Sequence, residues 1–367
     1  EDLRRAIIAT SLVSTADIAP VEGSAPGTAD ITVTLEPAPY RTTSGSAGHD
    51  TGEGIRAEAS WTHRNFLQPE GAFTLRGVLG TREQQAGASL RMSNFRRRDQ
   101  ALNLRIAASN INQTAYDART FELGGSIERL SNIIWQKQWT WTAGFELLAS
   151  DERDIVAKGV VGSRKTYFIG ALPMMLSYDG SDSLLDPTRG FRLAARLSPE
   201  VSLQSGTFGY AKVQLDGSAY LPVSDKITLA GRVRLGTIAG AARDSVAPSR
   251  RFYAGGGGSV RGYGYQMIGP TDVAGDPLGG KSLAEFGLEA RVRTGLLANS
   301  ISVVPFLDGG TVSDEKIADF KQFRFGAGLG VRYHSSFGPI RIDVGTPINR
   351  QSGDSRVTVF VSLGQAF

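Results

Sequence analysis

Hydrophobic and polar residues alternate with period two from residue 54 almost to the end of the chain. Over residues 283–293 the apolar positions are Ala284, Phe286, Leu288, Ala290 and Val292, with Glu285, Gly287, Glu289, Arg291 and Arg293 between them. Over 323–334 the apolar set is Phe323, Phe325, Ala327, Leu329, Val331 and Tyr333, set against Arg324, Gly326, Gly328, Gly330, Arg332 and His334. Residues 55–62, 101–108, 190–198 and 227–236 alternate in the same way. Successive side chains of a strand point to opposite faces, so each segment predicts a strand with one apolar and one wet face. A soluble sandwich would turn the apolar face into a core. Here the wet face carries Arg, Glu and Gly in mid-strand, and the segments are long enough to cross a bilayer at a tilt. The pattern predicts an all-β transmembrane antiparallel barrel over 41–367, polar inside and apolar outside, with roughly 16 strands. Trp135, Trp139, Trp141, Tyr167, Phe168 and Tyr178 fall near strand ends, where interfacial aromatic girdles sit.

Residues 1–40 break this pattern. Leu3, Ile7, Ile8 and Leu12 predict a helix over 2–13, and Ile31, Val33 and Leu35 a strand over 30–36. Pro37 and Pro39 then punctuate the chain and place a boundary at 37–40. An α+β piece this small cannot hold its own core. It reads as the tail of a periplasmic domain that begins upstream.

Composition narrows the function. No stretch approaches the roughly eighteen apolar residues of a spanning helix, which excludes helical transporters. The chain has no cysteine, so disulfide scaffolds and thiolate metal sites are out. A net charge of +4 over 367 residues is too dilute to imply nucleic acid. The three histidines, His49, His63 and His334, have no metal-ligand spacing. The run Gly255-Gly256-Gly257-Gly258-Ser259 lacks the Gly-Lys-Ser/Thr of a phosphate loop. Neither enzymatic chemistry, metal nor cofactor is expected.

The connection over 243–280 is the longest without strand periodicity, and a loop of that length is functional or disordered. It holds the four glycines and then Val260-Arg261-Gly262-Tyr263-Gly264-Tyr265. That hairpin resembles the hallmark of the superfamily of outer-membrane barrels that contains BamA, TamA and the two-partner secretion transporters. Tyr178-Asp179 with Asp186-Pro187-Thr188-Arg189-Gly190-Phe191-Arg192-Leu193 is similar to the family's periplasmic turn after strand eight. Phe306-Leu307-Asp308-Gly309-Gly310 resembles its strand-thirteen motif, and Phe337-Gly338-Pro339-Ile340-Arg341-Ile342-Asp343 its turn into strand fifteen. The terminal Phe367 matches the family's C-terminal signal strand. The resemblance covers the whole chain and implies a periplasmic POTRA fragment at residues 1–40, the outer membrane of a Gram-negative bacterium as location, and nearness to the TamA type.

Two sites follow. Parity puts Glu285, Glu289 and Arg291 on the lumen side of strand twelve, and Asp308 on the lumen side of strand thirteen. Arg261, at the tip of an in-folded loop, can then grip Asp308 and Glu289 through its planar fork of donors. Gly262 permits the tight turn and Tyr263 packs on the wall. The resemblance implies the same lock. The second site is the junction of the two terminal strands. Thr43, Gly45, Ser46 and Gly48 sit in a glycine-rich first strand, and each glycine weakens a strand by about 0.5–1 kcal/mol. Val359, Val361, Leu363 and Phe367 form a full apolar face on the last. Unpaired backbone in hydrocarbon costs several kcal/mol per group, so a weak seam there invites an incoming strand by β-augmentation. The expected function is assembly of nascent outer-membrane proteins, with outer-membrane lipid and an inner-membrane-anchored, periplasm-spanning protein as further partners. The alternatives are a two-partner-type polypeptide secretion pore and a passive porin.

Overall fold

The computed structural model describes residues 2–365 apart from 26, 51–53, 69, 132–135, 158–159, 162, 205, 274, 298–299, 336–337 and 364. Trp135, Phe337 and Phe367 lie outside the described residues, and Leu363 is described by its backbone alone.

Helix α1 (Asp2–Ala9) is shorter than its apolar spacing predicts. Thr10 Oγ1 donates back to Ile7 O at 2.6 Å, and Ser11 takes φ 62°, a left-handed conformation that ends a helix. A strand follows at once. β1 (Val13–Glu22) pairs antiparallel with β2 (Ala29–Pro37) in a two-stranded sheet of its own. β2 is the strand expected from Ile31, Val33 and Leu35. β1 escapes a periodicity reading because Ser14, Thr15, Asp17 and Pro20 scatter polar and rigid residues over both faces.

Eighteen strands close into a barrel. β3 (Arg41–Asp50), β4 (Gly54–Leu67), β5 (Gly71–Gly80), β6 (Glu83–Met92), β7 (Ala101–Asn112), β8 (Tyr116–Arg129) and β9 (Trp139–Ala157) form an antiparallel meander. β10 (Val160–Val161) pairs back on the tip of β9. β11 (Lys165–Ala171) and β12 (Met174–Asp179) share one position between β9 and β13 (Gly190–Leu203). The break falls at Pro173, which has no amide hydrogen to give the ladder. β14 (Thr207–Ser224), β15 (Ile227–Ala239), β16 (Ser282–Arg293), β17 (Ile301–Ser313), β18 (Arg324–Ser335), β19 (Gly338–Pro347) and β20 (Thr358–Leu363) complete the ring, with β20 beside β3. With β11 and β12 as one stave and β10 as an extension, the staves number sixteen, the even count that the alternation predicts.

The two faces separate as the pattern requires. Leu104, Ile106, Phe121, Leu123, Phe145 and Leu147 are exposed on the outside. Between them, Arg105 points inward to Glu122 and Glu146, Arg91 to Glu128, and Arg76 to Glu58. This arrangement is stable with lipid outside and water inside. Trp139, Tyr178 and Phe191 pack in series at one end, the first pair edge to face and the second tilted, with ring centroids 5.1 and 5.2 Å apart. That end, where β3 begins, is the proximal mouth; the opposite end is the distal mouth. No helix among the described residues is long and apolar enough to cross a membrane.

Candidate functional site

Between β15 and β16 the chain does not stay at the distal mouth but folds into the barrel. The main apolar cluster of the molecule forms there. Val246, Phe252, Ala254, Val260, Tyr263 and Ile268 of the connection pack on Tyr210, Ile238, Leu283 and Val312 of the wall. The connection needs polar anchors as well, since most of its backbone lies outside any ladder. Antiparallel bridges Phe252–Gly280 and Ala254–Ile268 tie it to itself.

Its tip is Arg261, 1% exposed. The Arg261 Nε donates to Asp308 Oδ2 at 2.7 Å and Nη2 to Asp308 Oδ1 at 2.9 Å, a two-pronged grip. The Arg261 backbone N–H adds a third bond to the same carboxylate at 3.0 Å. Nη1 reaches Glu289 at 3.1 Å and Asp343 at 3.5 Å. The guanidinium lies 3.7 Å from the Phe306 ring centroid, a cation–π contact in a dry setting. Gly262 has φ +109°, and a Cβ there would stand 2.9 Å from the Thr346 carbonyl, so this turn needs glycine. Tyr263 is buried, with its single hydroxyl hydrogen shared between Phe325 O at 3.1 Å and Asn349 Oδ1 at 2.9 Å. The structure therefore brings together Arg261, Gly262, Tyr263, Asp308 and Glu289.

Asp343, Arg332, Arg341 and Arg291 belong to the same buried cluster; parity placed Arg291 on the lumen side, but the other three are absent from the sequence-level reading of the site. Arg332 Nη1 donates to Asp343 at 2.5 Å, and Arg291 Nε to Glu289 at 2.8 Å. Parity held the signal: Ile340 and Ile342 flank Arg341 and alternate with Asp343, which puts both charges inside β19. A second anchor near the distal mouth gave no signal at all, because it joins β9, β13 and the connection across long separations. Ser249 donates N–H and Oγ to Glu152 at 2.9 and 2.6 Å. Arg250 grips Glu200 at 3.0 and 2.7 Å and reaches Glu146 at 3.0 Å.

The terminal staves differ as their sequences do. β3 pairs with β4 over its ten residues, and register with β4 puts Thr43 and Gly45 on the lipid side and Ser46 and Gly48 on the lumen side. All four are exposed. β20 has six residues and pairs with β19. Val359 and Val361 face outward, whereas Phe360 turns inward and is buried. The β20–β3 contact is the narrowest between neighbouring staves among the described residues. The residue-by-residue register that runs through the other junctions is not established across it among those residues. From inside, the connection supports β20: a Cβ on Gly257 would stand 3.1 Å from Phe360, and Arg341 donates to both Gly257 O and Ser362 Oγ.

The Omp85 superfamily domain matches residues 51–367. The BamA outer-membrane protein assembly factor of Nitratidesulfovibrio vulgaris is 29% identical over 195 residues, 52% of this chain and 24% of that protein. The chain thus matches about a quarter of that relative's length. BamA from Haemophilus ducreyi lacking POTRA domains 1–3 has the same fold, with a TM-score of 0.78 at 18% identity over 98% of this chain and 76% of that one. CdiB from Acinetobacter baumannii superposes with a TM-score of 0.61 at 12% identity, over 97% of this chain and 66% of its own.

Proposed function

The chain belongs to the Omp85 superfamily, and from that membership and the geometry of its seam we propose that it assembles nascent β-barrel proteins into the outer membrane of a Gram-negative bacterium. The observation that carries this reading is the contrast at the closing junction: an exposed, glycine-rich β3 beside a six-residue β20. A client strand gains a full ladder by pairing with β3, against which β20 lays six residues among the described ones. Arg261 keeps the connection folded against the wall while the seam works. The driving force is strand pairing and burial of apolar faces in lipid, without covalent chemistry.

Residues 1–40 we read as the end of a POTRA domain on the periplasmic side, so the proximal mouth faces the periplasm and an inner-membrane-anchored protein is reached through the upstream part. Tyr263-Gly264-Tyr265 and the single long connection favour the TamA type within the superfamily. The test is to replace Ser46 and Ser362 with cysteine and oxidise the pair. Sealed barrels should lose client assembly and regain it on reduction; undiminished assembly by the sealed protein overturns the proposal.

A further inference from the structure

The proximal mouth holds a cationic cavity that the reading above does not use. Its volume is about 400 Å³. Arg189, Lys226, Arg291, Arg293 and Arg332 line it, against the carboxylates of Asp186 and Asp225. Much of this charge is matched: Arg291 bonds Glu289 at 2.8 Å and Pro187 O at 3.0 Å, and Arg293 meets Asp186 at 3.2 Å.

Arg332 differs. It is fully buried, and its Nη1 is committed to Asp343. Its Nε and Nη2 have no hydrogen-bond partner among the described residues, with Nη2 standing 3.9 Å from Glu289. Nε and Nη2 share one edge of the guanidinium, the same edge with which Arg261 grips Asp308. A buried fork with both prongs idle carries its desolvation cost until an oxyanion accepts from it. The buried cluster has a matching surplus. Arg232, Arg261, Arg291, Arg332 and Arg341 are buried with Glu285, Glu289, Asp308 and Asp343, five cations to four anions, which leaves one positive charge unbalanced. A single carboxylate balances it; a phosphate dianion exceeds it and meets Asp186 at close range.

Position names the source of that carboxylate. The cavity lies at the proximal mouth, between the turn from β14 to β15 and residues of β16 to β18. Gln365, two residues past β20, lines it and donates to Asp186 Oδ1 at 2.8 Å. A strand taking the place of β20 beside β3 brings its own C-terminal end to the same spot.

We propose that this cavity binds the C-terminal carboxylate of a client polypeptide, with Arg332 as the fork and Lys226 and Arg189 at the rim. The inference rests on the reading that clients dock at the β3–β20 seam. It is tested with the full-length protein in detergent micelles and a fluorescent peptide made in two forms, one ending in a free carboxylate and one in an amide. The free acid should bind about tenfold more tightly than the amide, and Lys226→Gln with Arg189→Gln should shrink that difference without altering the fold. Arg332→Lys, which keeps the charge but removes the fork, should abolish it. Equal binding of acid and amide overturns the proposal, as does displacement by inorganic phosphate at the concentration where acetate displaces. If the acid form is preferred yet the sealed seam still assembles clients, the cavity stands and the seam reading fails. If sealing stops assembly and acid and amide bind alike, only the cavity assignment fails.

Discussion

Arg261 and Asp308 show why a single buried pair dominates its surroundings. Each is almost fully buried, each supplies the other's counter-charge, and neither has water to fall back on. Removing one partner of a buried pair costs about 3–5 kcal/mol; without Arg261 the buried Asp308 loses its grip, whereas without Asp308 the guanidinium keeps Glu289 and Asp343. Asp308→Asn and Arg261→Ala should both lower the thermal unfolding temperature in detergent, and Arg261→Lys should restore little, since an ammonium lacks the planar fork. Asp186 gives the same logic a pH dependence. Burial pushes its carboxyl up, but hydrogen bonds from His334 and Gln365 and the nearby charge of Arg291 hold it below the ordinary value. A depressed folded-state value stabilises the native turn above the unfolded carboxylate range, and the contribution fades as pH falls through the lower folded value. Protection against hydrogen exchange over residues 183–189, taken relative to the intrinsic exchange rate at each pH, should therefore be high at neutral pH and fall under strong acid. Asp186→Asn should exchange fast at neutral pH and show no such acid step.

At the scale of elements, two of the anchors that hold the connection between β15 and β16 have no common partner: Arg250 on Glu200 and Glu146, and Arg261 on Asp308, Glu289 and Asp343. Independent sites add, within about 0.3–0.5 kcal/mol. A double-mutant cycle of Arg250→Ala and Arg261→Ala, read by thermal unfolding, should close within that margin; strong coupling would show that the connection moves as one piece. These elements also show where sequence reasoning has force. Alternation in β16, β17 and β18 fixed which residues face the lumen, so Glu289 and Asp308 could be placed opposite the loop arginine. The same parity was available for Asp343 and Arg332 but points at no partner until the staves are in register. Glu152 and Ser249 are 97 residues apart, and nothing local in either marks the other. β1 and the early end of α1 were hidden for a different reason: Ser11 breaks the helix by its own backbone angle, which an apolar count does not register.

For the molecule as a whole, the in-folded connection lies inside the cylinder, packed on β14 to β17 and resting on β20 through Gly257. Single-channel recordings in planar bilayers should show small, rare openings for the native protein and larger, longer ones for Arg261→Ala. A native protein that opens as widely as the variant would favour the polypeptide secretion pore.

The glycines at the loop tip carry one more implication. Gly326 leaves room for the Arg261 carbonyl, and a Cβ on Gly345 would stand 2.8 Å from Gly262 N, so at that height main chain rests directly on main chain. Nothing threads between hairpin and wall on that flank. On another part of the wall, Arg91, Arg105, Glu128 and Glu146 line a cavity of about 320 Å³. An extended chain sliding there meets alternating rungs of opposite sign and few greasy footholds, a surface that wets a passenger without gripping it.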